Sequence, residues 1–272
     1  MRAFLALLVL CLAAPASADD LRLLDDAGEI FGLEAVGRLD FKGADGRGFC
    51  TATLIGARQV LTAAHCLVDE RGIPHSPAAL TFRPGLRNGE SKGTHAVARY
   101  ALHPDYVPGA AASNATVAVD VALIELATPV DHWAVPPLRV DGAELQGQSV
   151  QVVSYAQGRE AAPSHEESCS LLRRRGDVLM LDCQATFGAS GAPVFVATTR
   201  GARIVGVISS GGNSGDRPVT FAASLDGALP RLEAAMPGRA GSARPSSPGV
   251  KTLRVGDRTG QGGSIVFHRP GG

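Results

Sequence analysis

A chain of 272 residues with 45% hydrophobic and 19% charged side chains can bury a sizeable core, which excludes a long coiled coil and excludes disorder over most of its length. Basic and acidic residues balance at 26 each, so bulk charge gives no reason to expect nucleic acid or an anionic membrane as partner. With 33 glycines and 17 prolines the chain reads as a turn-rich globular protein, and its arginine-for-lysine skew reads as bacterial base composition.

The N-terminus has the pattern of an export signal. Met1 and Arg2 give a short positive end, Ala3 to Ala14 an apolar stretch, and Ala16-Ser17-Ala18 a small-x-small cleavage pattern. Residues 1–18 are therefore expected to be removed, and the product to reach the periplasm or the medium. The apolar stretch is shorter than the roughly 20 residues a membrane-spanning helix needs, and no later segment approaches that length. Residues 19–33 form an N-terminal segment that could serve as a pro-region.

Export leaves Cys50, Cys66, Cys169 and Cys183 in a compartment that permits disulfides. Of the three possible pairings the local one, Cys50 with Cys66 and Cys169 with Cys183, is favoured, because each pair brackets what reads as two short strands and a turn. Zinc ligation is the rival reading, and the lack of any C-x-x-C pair speaks against it.

Short β-branched runs then follow one another: Phe49 to Ile55, Val60 to Ala64, Val119 to Leu126, Ser149 to Tyr155, Val178 to Leu181, Pro193 to Ala197 and Arg203 to Ile208. Helical spacing emerges only at Leu225, Leu229, Leu232 and Met236, which predicts one terminal helix. Many short strands between turn signals predict an all-β sandwich or barrel. Residues 237–272 are dense in Gly, Pro, Ser and Arg, with Asp257 the single acid, and read as a mobile tail. A hairpin between Val250–Val255 and Ser264–Phe267 is the competing reading. Arg173-Arg174-Arg175 is expected to form a solvated loop tip inside the second cysteine pair, and the Asn114-Ala115-Thr116 sequon is expected to carry no glycan.

Three stretches carry the chemistry, in this order: Leu61-Thr62-Ala63-Ala64-His65-Cys66, Asp120-Val121-Ala122-Leu123-Ile124-Glu125-Leu126, and Gly188-Ala189-Ser190-Gly191-Ala192-Pro193. A serine hydroxyl becomes a useful nucleophile when an imidazole takes its proton, and the imidazole needs a carboxylate to fix its tautomer. With these motifs the sequence resembles the chymotrypsin/trypsin-type serine endopeptidases over roughly Glu34 to Met236. Phe82-Arg83-Pro84-Gly85 and His103-Pro104-Asp105-Tyr106 resemble the bacterial glutamyl-endopeptidase-like branch.

The resemblance implies an all-β fold of two antiparallel six-stranded barrels with the active site between them and one C-terminal helix, the barrels falling at about 34–136 and 137–225 of a domain spanning 34–236. It implies His65 as general base, Asp120 as the carboxylate that orients it and Ser190 as nucleophile. The N–H groups of Gly188 and Ser190 would form the oxyanion hole, and Ser209, Ser210 and Gly211 would lie on the strand that pairs with substrate. The acid that pairs with a new N-terminus in trypsin-like zymogens is replaced by Ala189, so that switch is absent. Ala192 stands where the family usually has glycine.

Counting back from the nucleophile puts Gln184 at the floor of the primary specificity pocket, where trypsin-like enzymes need a carboxylate. Ile208 takes the place of the histidine on which glutamyl specificity relies, Ala185 lacks the hydroxyl that branch uses, and Val219 is aligned with the far wall. The expectation is cleavage after small or medium uncharged residues, in peptide or protein substrates, by a monomer that needs no cofactor or metal. A silent protease fold kept as a binding or scaffold module is the alternative, with Ala189 as its only support.

Overall fold

A computed structural model describes residues 21–238, apart from 27, 44–45, 141–144, 146–148, 200 and 216, together with 265–268. After β1 (Leu21–Leu23), six strands close into a barrel in the order β2-β3-β4-β7-β6-β5: β2 (Val36–Gly43), β3 (Gly46–Leu54), β4 (Gln59–Thr62), β5 (Leu80–Pro84), β6 (His95–Leu102) and β7 (Ala122–Leu126). All its pairings are antiparallel, and β5 returns to β2 with Leu39 opposite Phe82. Period-two burial fills the interior: on β5, Leu80, Phe82 and Pro84 point inward while Thr81 and Arg83 are half-buried.

The second barrel repeats the scheme with β9 (Ser149–Ala156), β10 (Arg159–Arg175), β11 (Val178–Leu181), β12 (Pro193–Thr198), β13 (Gly201–Ser214) and β14 (Arg217–Ser224). They follow one another as β10-β11-β14-β13-β12-β9, and the β9–β10 pairing closes the ring. β1 joins the outside of β10, and β8 (Arg139–Val140) runs parallel to β13. The fold is the expected all-β double barrel, with two short α-helices among the described residues where one, at the C-terminus, was expected. α1 (Asn114–Val117) begins with a capping box between Ser113 and Thr116. α2 (Ala228–Ala235) lies within the predicted terminal helix and returns to the first barrel, where Gln59 donates to Glu233 at 3.0 Å. No helix among the described residues is long and apolar enough to cross a membrane.

Two elements differ from expectation. Arg173–Arg175 is not a loop tip: Arg173, Arg174 and Arg175 sit on β10 opposite Met180, Leu179 and Val178. The turn falls one step later, at Gly176, whose φ of 57° suits glycine. Ile265–His268 forms a strand, β15, on the edge of β13, where composition predicted a mobile tail; the alternative hairpin partner at 250–255 lies outside the described residues.

Both disulfides are local. Cys50 is bonded to Cys66 across the β3–β4 hairpin and its following turn, with Cα atoms 6.2 Å apart, and Cys169 to Cys183 across β10 and β11, at 5.2 Å. They close loops of 16 and 14 residues. Replacing either pair by alanine is expected to cost about 3 kcal/mol, read as a lower urea midpoint with an unchanged or larger m-value.

Candidate active site

The barrels meet through Thr51 on β3. Its Oγ1 donates to the Gly188 carbonyl at 2.9 Å and accepts from the Tyr155 N–H of β9 at 2.9 Å, while its own N–H donates to the Ser190 carbonyl at 2.9 Å. Thr62 Oγ1 donates to the Thr51 carbonyl at 2.9 Å. All of these groups are buried, where a lost partner costs about 1–3 kcal/mol. One threonine of the first barrel thus fixes the loop of the second barrel that carries Ser190.

That loop is tightly wound. Ala189 N–H donates to the Thr186 carbonyl at 3.0 Å, Ala192 N–H to the Ala189 carbonyl at 3.0 Å, and Gly191 N–H to the Ile208 carbonyl at 2.8 Å. Gly188 and Gly191 have φ of 91° and 82°, and both are closed in. A Cβ on Gly188 would stand 2.3 Å from the Phe49 ring, and one on Gly191 2.1 Å from the Thr51 carbonyl oxygen. Glycine is demanded at both positions by conformation and by space.

His65 sits in the short 3₁₀ turn Ala64–Leu67 that follows β4. Asp120 ends the turn after α1, its N–H donating to the Val117 carbonyl at 3.1 Å, just before β7. Its carboxylate accepts from His65 N–H at 2.9 Å, from His65 Nδ1 at 2.7 Å and from Ser209 Oγ at 2.6 Å. An acceptor-only carboxylate at Nδ1 assigns the proton to that nitrogen and leaves Nε2 with a lone pair. Burial alone would raise the Asp120 pKa. The His65 charge and the hydrogen bonds from His65 and Ser209 outweigh it and hold the carboxyl below its ordinary value.

His65 and Ser190 line one cleft of about 710 Å³, together with Gly188, Phe49, Tyr106 and Phe187, the last half-exposed at its rim. Among the described residues no hydrogen bond joins His65 to Ser190. Ser209 lies where the β13–β14 register shifts, between Ile208 and Ser210, and this irregularity sits beside its bond to Asp120.

The remaining sequence candidates lie after β11, on β13 and on β14. Gln184 is exposed, and its N–H donates to both oxygens of the buried Glu166 carboxylate, at 2.9 and 3.2 Å. Ile208 is packed in the second-barrel core, and Val219 in a small cluster with Val117, Val178 and Phe221. Ser210 is buried and Gly211 half-buried, both on β13. Thr220, which motif counting missed, stands directly opposite Gly211 and donates to the Cys183 carbonyl at 2.6 Å. Thr51 and Glu166 were missed as well: each acts through a contact over more than ten residues of sequence, which no local motif records. Cysteine sulfurs approach His65 and Glu166, but all four are in disulfides, which leaves no thiolate to bind a metal.

Residues 50–207 match the trypsin-like peptidase domain. A trypsin from Phaedon cochleariae is 38% identical over 101 residues, 36% of this chain and 36% of that protein. A suppressor of tumorigenicity 14 protein homolog from Bos taurus is 26% identical over 150 residues, 51% of this chain and 16% of its own length. The chain therefore spans well under half of either curated relative. Among solved structures, a thermostable serine protease from an extremophilic microorganism superposes with a TM-score of 0.59 at 21% identity, covering 73% of this chain and 95% of the other. A Glu endopeptidase gives 0.59 at 19% identity, with 74% and 89% covered. A protease from Arthrobacter nicotinovorans gives 0.59 at 18%, with 74% and 96% covered.

Two outcomes follow from this geometry. Ser209→Ala removes one donor from a buried carboxylate and is expected to lower stability by about 1.5–3 kcal/mol in urea unfolding. Acid should act in two stages. Burial leads in pushing His75, His95, His103 and His165 below the usual 6.5, and Asp120 lies below 3.8. Below pH 6.5 the unfolded chain binds more protons than the folded one, so stability falls as pH falls through the histidine range, and falls again below 3.8 as Asp120 protonates. Melting temperature measured across this range is expected to be flat above about pH 7.5 and to decline below it in those two steps.

Proposed function

Because the chain belongs to the trypsin-like peptidase domain family, we propose that it is a secreted bacterial serine endopeptidase, active as a monomer, that cleaves peptide bonds through an acyl-enzyme on Ser190. The observation that carries this reading is the His65–Asp120–Ser209 network, buried at the cleft that His65 shares with Ser190. In this scheme His65 Nε2 takes the Ser190 hydroxyl proton as Oγ attacks the scissile carbonyl. The N–H groups of Gly188 and Ser190 hold the oxyanion, and His65 then passes the proton to the leaving amine. Water, deprotonated by the same imidazole, hydrolyses the ester and restores Ser190. Asp120 stays ionised throughout and stabilises the imidazolium. The export pattern in residues 1–18 supports secretion.

The Phe82–Gly85 and His103–Tyr106 stretches favour kinship with the bacterial glutamyl-endopeptidase-like branch, but the substrate reading is different. Thr220 is paired opposite Gly211, and the Ala185 carbonyl lies 3.2 Å from where a Gly211 Cβ would stand. A shallow pocket without a free carboxylate at its base favours small or medium uncharged residues before the scissile bond, each methylene of mismatch being worth roughly 1–3 kcal/mol.

A fluorophosphonate probe should label the wild type and not Ser190→Ala, and that variant should lose about 10⁴-fold or more in kcat/KM. An unlabelled wild type, or equal labelling of both, would overturn the enzymatic reading. Profiling with a peptide library is expected to give cuts after Ala, Ser, Thr or Val; dominant cleavage after Glu, or after Arg and Lys, would overturn the pocket assignment.

A further inference from the structure

From Ser209 onwards β13 has an open side. β14 pairs with Gly206–Ser214 along one edge, while on the other β12 stops at Val207, and Ile208 bonds to the Ser190 loop. β15 lies on that free edge, antiparallel, with Gly211 opposite His268, Gly212 opposite Phe267, Asn213 opposite Val266 and Ser214 opposite Ile265. The direction is informative. From N- to C-terminus β15 runs from Ser214 toward Gly211, which is toward Ser209, whose hydroxyl holds Asp120. An extended peptide whose following bond is to meet Ser190 would have to travel the same way.

We propose that the chain's own C-terminal segment, Ile265–His268, occupies the edge of β13 from Gly211 to Ser214 in competition with substrate. The proposal rests on the protease reading above and adds to it a resident occupant. Backbone hydrogen bonds supply the attraction in strand addition, so the site accepts any extended segment with free N–H and C=O groups. Gly211 and Gly212 on the edge carry no side chains to hinder the approach. Because Ile265–His268 belongs to the same chain, its pairing with β13 is intramolecular and runs at an effective concentration on the order of 1 mM. Four residues of ladder with an intrinsic Kd of the same order would keep the edge about half occupied, raising KM about twofold for any substrate that needs it.

The test compares the full chain with a form ending at Gly260, and with Val266→Pro/Phe267→Pro. Ladder bonds alternate along a strand, so two consecutive prolines remove whichever N–H faces β13. Two substrates are used, a peptide with four residues before the scissile bond and a single-residue ester that cannot reach the edge. The proposal expects both variants to lower KM for the peptide about twofold or more, with kcat unchanged and no effect on the ester. It also expects synthetic peptide 261–272 to inhibit the truncated form competitively. Equal KM values in all three forms, or a peptide that does not inhibit, would overturn the proposal while leaving the protease reading intact. Failure of every form to turn over the ester would overturn the protease reading, and competition with substrate would fall with it. Docking is then read without turnover, as fluorescence anisotropy of labelled 261–272 on the truncated Ser190→Ala chain, where binding supports the edge site and its absence removes it.

Discussion

A carboxylate that is almost entirely buried must be given partners, and Asp120 takes them from both halves of the molecule. His65 provides two from the first barrel, and Ser209 the third from β13 in the second. Withdrawing any of them leaves part of a charge unpaired in a medium that solvates it poorly. The relative placement of the barrels is therefore constrained at the spot where the imidazole must be held. Asp120 orients His65 through the same bonds that make its own burial tolerable.

Thr51 applies a similar constraint from the other side. It is small, buried and hydrogen-bonded through its side chain across the interface to two backbone groups of the second barrel, at Gly188 and Tyr155. Gly191 lies so close to the Thr51 carbonyl that any side chain there would push the Ser190 loop away from the first barrel. These two contacts thus hold the loop that carries Ser190 against the first barrel. A barrel interface tolerates such precision because each barrel is closed and cannot shear to relieve a local misfit.

The sequence was informative where the candidate site is built from local stretches. His65, Asp120 and Ser190 each sit in a short stretch whose neighbours have their own structural reason to be there: a cysteine that bridges to Cys50, a β-strand that enters the core, and glycines with positive φ. Short β-branched runs located β3, β4, β7, β9, β11, β12 and the first part of β13, whereas β2, β5, β6, β10 and β14 escaped notice; β10 is polar and charged over much of its length, and its register shifts twice against β9. Contacts set by register were the least legible. Val219 and Thr220 differ by one position in sequence, yet a one-residue difference turns a side chain to the opposite face of a strand, and only the β13–β14 pairing shows that Thr220 stands opposite Gly211.

The same dependence on register explains how one strand serves the site in three ways. The first part of β13 is an interior strand, paired on both sides and buried with Ile204, Val205 and Val207 in the core. At the irregularity around Ser209 it releases one neighbour and turns a hydroxyl to Asp120. Beyond that point the edge left by β12 is taken by β15, from Gly211 to Ser214. An open strand edge is ordinarily a liability, since any extended chain can add to it, and folded proteins cover or interrupt such edges. Under the proposed function the edge must stay accessible to a substrate strand, so permanent covering is excluded. The proposed occupancy by Ile265–His268 meets both demands: it satisfies the edge between substrates and yields it to a substrate strand.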